Sequence, residues 1–289
     1  MLKLFTDTDT DITPEVAREY GYELISMPYS VDGKTIYPYV DFETFDSKTF
    51  YNMLRGGVLP TTSAISEQKY AEYFEPHFKA GDDILYVHFS AAMTVTFDAM
   101  DKAVAALLEK YPERKFYSID TKGITIGSYN IVREIGDQYK AGKSADEIVE
   151  WSKTEIDKFA TYFFADDLKF FRHSGRVSGL AAVMGTLVGI RPIITMNAEG
   201  KMVSVGKEKG RVKAMERLVA LVEELGEDVK DHRIIVGHSD SLDIAEEVGK
   251  MLKEKLGGDL NIEYVEVNPT AGSHCGPNGV GVCFHAKHR

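Results

Sequence analysis

The 289-residue sequence predicts an α/β protein of two α/β domains, residues 1–159 and 160–289, the first built on a largely parallel sheet. Three observations carry this reading. Short apolar runs rich in β-branched and aromatic residues alternate with helix-period segments as far as Trp151. Beyond it the texture changes to a strand, a glycine-punctuated stretch, a hairpin and then further strand and helix alternation. Small polar clusters follow several of the strands, where open α/β sheets place their ligands.

Strands are predicted at 2–6 (LKLFT), 22–28, 84–89 (ILYVHF) and 115–119 (KFYSI). Between them lie helices near 14–20, from Glu67 (with Tyr70, Ala71 and Phe74), from Thr94, and over 124–140 and 144–159. Phe97, Met100, Val104, Leu107 and Leu108 recur at helical spacing. TYFFA (161–165) opens the second domain, and IRPIITM and KMVSV form a hairpin around Glu199 and Gly200. An amphipathic helix over 211–225, the strand HRIIVGH (232–238), a helix over 241–256 and the strand NIEYVEV (261–267) complete it.

With 44% hydrophobic and 27% charged residues the chain has the composition of a soluble globular protein. Its formal charge of −11 gives no electrostatic support to nucleic acid or an anionic membrane as partner. The N-terminus meets Asp7 before any apolar h-region, and the longest uncharged apolar run, Leu180 to Ile190, is short of a membrane span, so the expected location is cytoplasmic. Cys275 and Cys283 lack zinc-knuckle or finger spacing despite His274, His285 and His288 nearby, so no metal is expected.

Five clusters are candidates for chemistry. In TDTDTD (6–11), Asp7 is expected to hold a neighbouring loop by accepting N–H bonds and Asp11 to cap the helix at Pro14. Thr61, Thr62 and Ser63 in LPTTSAIS precede one helix, and Ser90, Thr94 and Thr96 in FSAAMTVTF open another. Each reads as a capped helix start, and jointly as two starts whose hydroxyls and N–H groups meet one anion. FRHSGRVSG (171–179) places Arg172 and Arg176 about a small polar turn, suited to an anion or an acidic surface, or simply solvated; behind it Ala181, Ala182, Gly185 and Gly189 permit close packing or leave a slot. AGSHCGPNGVG (271–281) holds His274 in a glycine-rich loop after a strand, as a structural residue or a partner for a carboxylate. A hydrolase or acyltransferase using Ser63 or Thr94 with His274 is the alternative, although the elbow G-x-S-x-G is absent, as are the nucleotide loops G-x-x-x-x-G-K-[ST] and G-x-G-x-x-G.

Together, FTDTDTDI, PYSVDGKTI, LPTTSAIS, FSAAMTVTF, SIDTKGITIG, FFRHSGRVSG with IRPII, and GSHCGPNGVGVCF make the chain similar, over essentially its whole length, to the DegV family of fatty acid binding proteins that serve bacterial fatty acid kinase. The resemblance implies a non-enzymatic carrier with one long-chain fatty acid buried between two α/β domains and no cofactor. It implies a separate kinase as partner and at most transient contact with a membrane. The carboxylate contacts implied are Thr62 and Thr94, with His274, Thr61 and Ser63 nearby. Arg172 and Arg176, with Lys207, Lys209 and Arg211, become candidates for kinase docking or phosphate contact. Where the family pattern is Leu-Ser-Gly-Thr-Tyr, this chain has Met93, Thr94, Val95, Thr96 and Phe97, which keeps the hydroxyl but adds bulk, so acyl-length preference is expected to shift. Ser174 and Gly175 replace a Gly-Gly pair.

Overall fold

A computed structural model describes residues 1–176 and 189–289. Ala181, Ala182 and Gly185 therefore lie outside the described residues, as does most of the apolar run that contains them.

The first half runs β1 (Leu2–Asp7), α1 (Pro14–Tyr20), β2 (Tyr22–Ile25), β3 (Tyr29–Val31), β4 (Lys34–Ile36), α2 (Ser47–Arg55), β5 (Thr61–Thr62), α3 (Glu67–Lys79), β6 (Asp83–His88), α4 (Thr96–Lys110), β7 (Phe116–Asp120), α5 (Ile126–Lys140) and α6 (Ala145–Glu155). The second runs β8 (Phe159–Phe164), α7 (Lys169–Ser174), β9 (Ile190–Met196), β10 (Met202–Lys209), α8 (Arg211–Leu225), β11 (Ile234–His238), α9 (Leu242–Leu256), β12 (Ile262–Glu266), α10 (Pro269–Cys275) and β13 (Val280–His285).

The first sheet has the order β2-β1-β6-β7 and is parallel throughout. A six-stranded sheet, β10-β9-β8-β13-β11-β12, mixes antiparallel pairs with one parallel pair, β11 with β12. A small antiparallel sheet, β4-β3-β5, stands apart from both. The expected hairpin around Glu199 and Gly200 is β9 with β10, closed by Gly200 N–H donating to the Asn197 carbonyl at 2.9 Å.

Local chemistry sets the ends of these elements. Thr13 caps α1, with Pro14 at its first position, and Gly21 ends it in the left-handed region at φ 76°. Asp11 was expected in that capping role. It sits instead at φ 60° after a 3-10 turn (Thr8–Thr10) and reaches across to Asn268, because Thr13, two residues later, already satisfies the helix. On α4, Phe97, Met100, Val104 and Leu107 are buried against the first sheet's strands and α3, as their spacing predicts. A capping box between Ser144 and Glu147 starts α6, which stops at Glu155; residues 156–158 are 3-10, so the helix expected to reach 159 is shorter.

α5 occupies the centre. It packs on the 3-10 turn and α1 of the first half and on β8, β11 and β13 of the second. One core cluster accordingly joins Leu4, Leu85 and Ile119 to Ile131, Ile135, Ile235 and Cys283. Small residues permit this approach: a Cβ at Gly127 would stand 2.6 Å from Thr161 Oγ1.

Candidate functional site

A cavity of about 510 Å³ opens between the halves, within the range of roughly 300–1,000 Å³ typical of small-molecule sites. Its walls are mainly apolar: Met27, Phe89, Met93, Ile124 and Ile126 from the first half, and Phe163, Phe164, Phe171, Met202, Val267 and Val280 from the second. Gly237 and Gly281 also line it, and a Cβ at Gly237 would collide with the Ile126 side chain. The polar lining consists of Asp9, Thr62, Ser63, Thr94, Thr96, Thr125, Arg176, Ser239, Thr270 and His274, together with the Cys275 thiol.

Thr62 closes the small sheet, opposite Tyr29 of β3, and its Oγ1 meets His274 Nε2 at 3.0 Å. The hydroxyl run was expected at a helix N-terminus. Thr61 and Thr62 form β5 instead, and the cap of α3 is Ser66, whose Oγ accepts from Lys69 N. A β-branched pair suits a strand, and Ser66 stands directly ahead of the first helical residue. Ser63 lines the cavity from an exposed position, whereas Thr61 pairs with Ser30, is exposed and lies outside the lining.

His274 was expected in a glycine-rich loop and lies in the last turn of α10. Asn268 caps this helix by accepting from Ala271 N at 3.0 Å, and Pro269 takes the first position. Four bonds tie it and the segment leading into it to the first half: Asp11 Oδ1 accepts from Asn268 N and Nδ2 at 2.9 and 2.7 Å, Tyr51 donates to the Val267 carbonyl at 2.9 Å, and Thr270 donates to the Met27 carbonyl at 2.7 Å. One side of the His274 ring faces the cavity, while burial, aided by the charges of Arg176 and His173, pushes its pKa down to about 3. The ring is neutral, and Nδ1 has no partner among the described residues.

Thr94 ends a 3-10 turn (Ala91–Met93) in extended conformation, two residues before α4 begins at Thr96. Its Oγ1 accepts from Thr96 N at 3.1 Å, which leaves its own O–H proton free to donate. The other two hydroxyls of that segment serve structure: Thr96 Oγ1 accepts from Ile65 N at 2.9 Å, and Ser90 donates to the Gly200 carbonyl at 2.7 Å, joining the two halves.

Arg176 is half-buried on the cavity wall, while Arg172 is exposed on the last turn of α7. Of the other basic candidates, Arg211 pairs with Asp166 at 2.8 Å. Cys275 lines the cavity with its thiol pushed up to about 12 by burial, and Cys283 lies buried in β13; both are free. Among the described residues no group of three His, Cys, Asp or Glu side chains converges as a metal site, and no helix is long and apolar enough to cross a membrane.

Asp9 and Thr125 line the cavity without having been singled out from sequence. Thr125 adopts φ 51°, unusual for a β-branched residue, and its N–H donates to the Asp9 carbonyl at 2.8 Å. Only the acid-rich run 6–11 signalled Asp9, and it pointed equally to three residues.

The sequence profile of the DegV family, described as "uncharacterised protein, DegV family", matches residues 1–287. A DegV domain-containing protein of Clostridium perfringens is 32% identical over 282 residues, covering 97% of this chain and 96% of that one. Among solved structures, a stearic acid-binding protein from Eubacterium ventriosum superposes with a TM-score of 0.87 at 20% identity, covering 99% of each chain. A fatty acid binding DegV family protein from Streptococcus agalactiae gives 0.84 at 26% identity, covering 100% of this chain and 99% of that one.

Proposed function

The chain belongs to the DegV family, and on that basis we propose that it binds one long-chain fatty acid and presents the carboxylate to a separate fatty acid kinase for conversion to the acyl phosphate. The tail occupies the apolar cavity, and Thr62 and Thr94 hold the carboxylate, with His274 behind Thr62. The observation that carries this reading is the 3.0 Å contact of Thr62 with His274 in the wall of a mainly apolar 510 Å³ cavity.

The energetics favour it. Burying a sixteen-carbon tail removes about fifteen methylenes from water, worth ~0.8 kcal/mol each, or roughly 12 kcal/mol before ordering costs. An unpaired carboxylate opposes this unless donors meet it. A His274 Nε2–H donating to Thr62 Oγ1 turns the threonine proton toward the ligand, and Thr94 supplies a second O–H. Both donate to the anion without burying a counter-charge. The stearic acid-binding and fatty acid binding relatives, which share this fold over the full chain, support the same ligand class.

The non-enzymatic part of the reading is supported by His274 itself. Burial makes its ring a weak base, it bonds to Thr62 rather than Ser63 or Thr94, and among the described residues no carboxylate orients Nδ1 as in a hydrolytic triad. We place the carrier in the cytoplasm, in at most transient contact with membrane. Arg176 at the cavity and Arg172 on the adjoining surface are its contacts for phosphate or kinase.

Native mass spectrometry of gently purified protein tests the ligand. One retained fatty acid per chain is expected, identified after extraction. Empty protein that also fails to take up added palmitate would sink the assignment.

A further inference from the structure

Three buried aspartates stand in and beside one 3-10 turn: Asp7, Asp9 and Asp11, at 0%, 7% and 3% exposure. Two of them are well supplied with donors. Asp7 accepts from Asp9 N at 3.0 Å, Tyr86 Oη at 3.0 Å and Phe89 N at 3.2 Å, and Asp11 accepts twice from Asn268. Asp9 differs. It is the one of the three that lines the cavity, and while Asp11 leaves only its Oδ2 unpartnered, the Asp9 carboxylate, its buried Oδ1 included, has no hydrogen-bond donor among the described residues. α10, which carries His274, packs both on the turn that carries Asp9 and on β5, which carries Thr62. Asp9 thus shares a wall with the carboxylate contacts.

Among the described lining residues Arg176 is the one cation beside a neutral His274. If Asp9 and a bound carboxylate were both ionised, the buried site would carry a net charge of about −1, which a low-dielectric interior resists. One proton restores neutrality. Resting on the fatty acid reading above, we propose that Asp9 is a further ligand-binding residue: it stands in the complex as a neutral carboxylic acid whose O–H donates to the ligand's carboxylate.

The surroundings agree. Burial, and then the charges of Asp7 and Asp11, raise the Asp9 pKa, while Arg176 opposes them. From α10, His274 and Cys275 face the same cavity, and the Ile124–Ile126 wall adds no titratable group. Affinity should therefore be level while the free protein keeps this proton, and fall by up to about tenfold per pH unit above that point.

The test titrates delipidated full-length protein with palmitate, comparing wild type, Asp9→Asn and Asp9→Ala, each checked by thermal melting. Asn also donates from that position, so Asp9→Asn should bind within about threefold of wild type and Asp9→Ala at least tenfold more weakly. Equal affinity in all three overturns the proposal, as does tighter binding by both variants, which would mark an ionised, repelling carboxylate. Asp9→Asn as weak as Asp9→Ala also overturns it. Should Asp9→Ala not fold, the infrared difference between wild-type and Asp9→Asn complexes decides: a protonated-carboxyl carbonyl band specific to wild type is required, and its absence ends the proposal. Wild type that binds no palmitate fails the fatty acid reading first and takes this proposal with it.

Discussion

Thr62 and His274 are 212 positions apart in sequence and 3.0 Å apart in space, one at the end of a two-residue strand and the other in the last turn of a seven-residue helix. Neither element is self-supporting at that length, so the pair is placed by its neighbours: the ladder with Tyr29, and the bonds from Asp11, Tyr51 and Met27 to the 267–270 segment.

If the two threonines are the anion donors, removing either O–H should cost a charge-assisted bond, on the order of 1.5–3 kcal/mol, or about 10- to 100-fold in affinity. Thr62→Val and Thr94→Val are expected to weaken palmitate binding by that much, and Thr94→Ser to restore it. Thr61→Val, altered on the exposed face of β5, should stay within about twofold of wild type. Calorimetric titration measures all four.

Acid should destabilise the protein through His274. Burial holds the folded ring neutral down to about pH 3, against 6.5 unfolded. Between these values the unfolded chain binds the extra proton, so stability is lost as pH falls through that window, by up to ~1.4 kcal/mol per pH unit. His274→Gln should remove this slope, so its stability relative to wild type, measured by urea unfolding, should improve progressively from pH 6.5 to 4.

Asp7 and Asp11 act with the opposite sign. Burial raises both from 3.8 to about 7, partly offset by their hydrogen bonds, so the folded state holds the extra protons and stability is lost as pH rises from about 4 to 7. Asp11→Asn keeps an oxygen acceptor for Asn268 and removes the titration. Its unfolding free energy should rise relative to wild type over that interval, and a constant difference would contradict the linkage.

Close packing of α5 is testable at Gly127. Adding a methyl that would sit 2.6 Å from Thr161 Oγ1 and 3.4 Å from Thr161 Cβ forces the helix off β8. Gly127→Ala is expected to lower stability by about 1–3 kcal/mol despite its better helix propensity. A gain in denaturation midpoint would show that the gap closes freely.

Arg55 at the end of α2 donates to the Asp240 side chain, and to Asn278 Oδ1 at 2.8 Å, pinning the small sheet and α2 to the second half. Arg55→Ala should speed exchange of a bound fluorescent fatty acid severalfold while altering the melting temperature little, since the guanidinium is about one-third exposed. Unchanged exchange kinetics would show that this clasp does not govern release.

Most of this architecture was legible in the sequence where periodicity was long. α1, α8 and the strands β1, β6 and β11 lie within a residue or two of their expected positions, because buried faces write a regular pattern. α10 was not read. PTAGSHC holds poor helix formers, and only Asn268 followed by Pro269 signalled its start. β5 was mistaken for a helix start because hydroxyls ahead of an apolar period look like caps; the true cap, Ser66, lay at the end of the same run. Asp11 reaching Asn268 across 257 positions is a tertiary event with no local trace. Thr62, Thr94, Ser63 and His274 lie on one cavity, yet their meeting depends on pairing and docking that no single stretch encodes.

Because α5 is gripped by both halves, the molecule lacks the freedom of a hinged clamshell: swinging its lobes apart would wet Ile131, Ile135 and Ile235 together. If the proposed fatty acid is the guest, its passage cannot rely on the lobes parting. The small β4-β3-β5 sheet, separate from the two large ones, carries Thr62. Were that sheet the part that yields, each exchange of the proposed guest would undo the hold of Thr62 on its acidic end in the same movement.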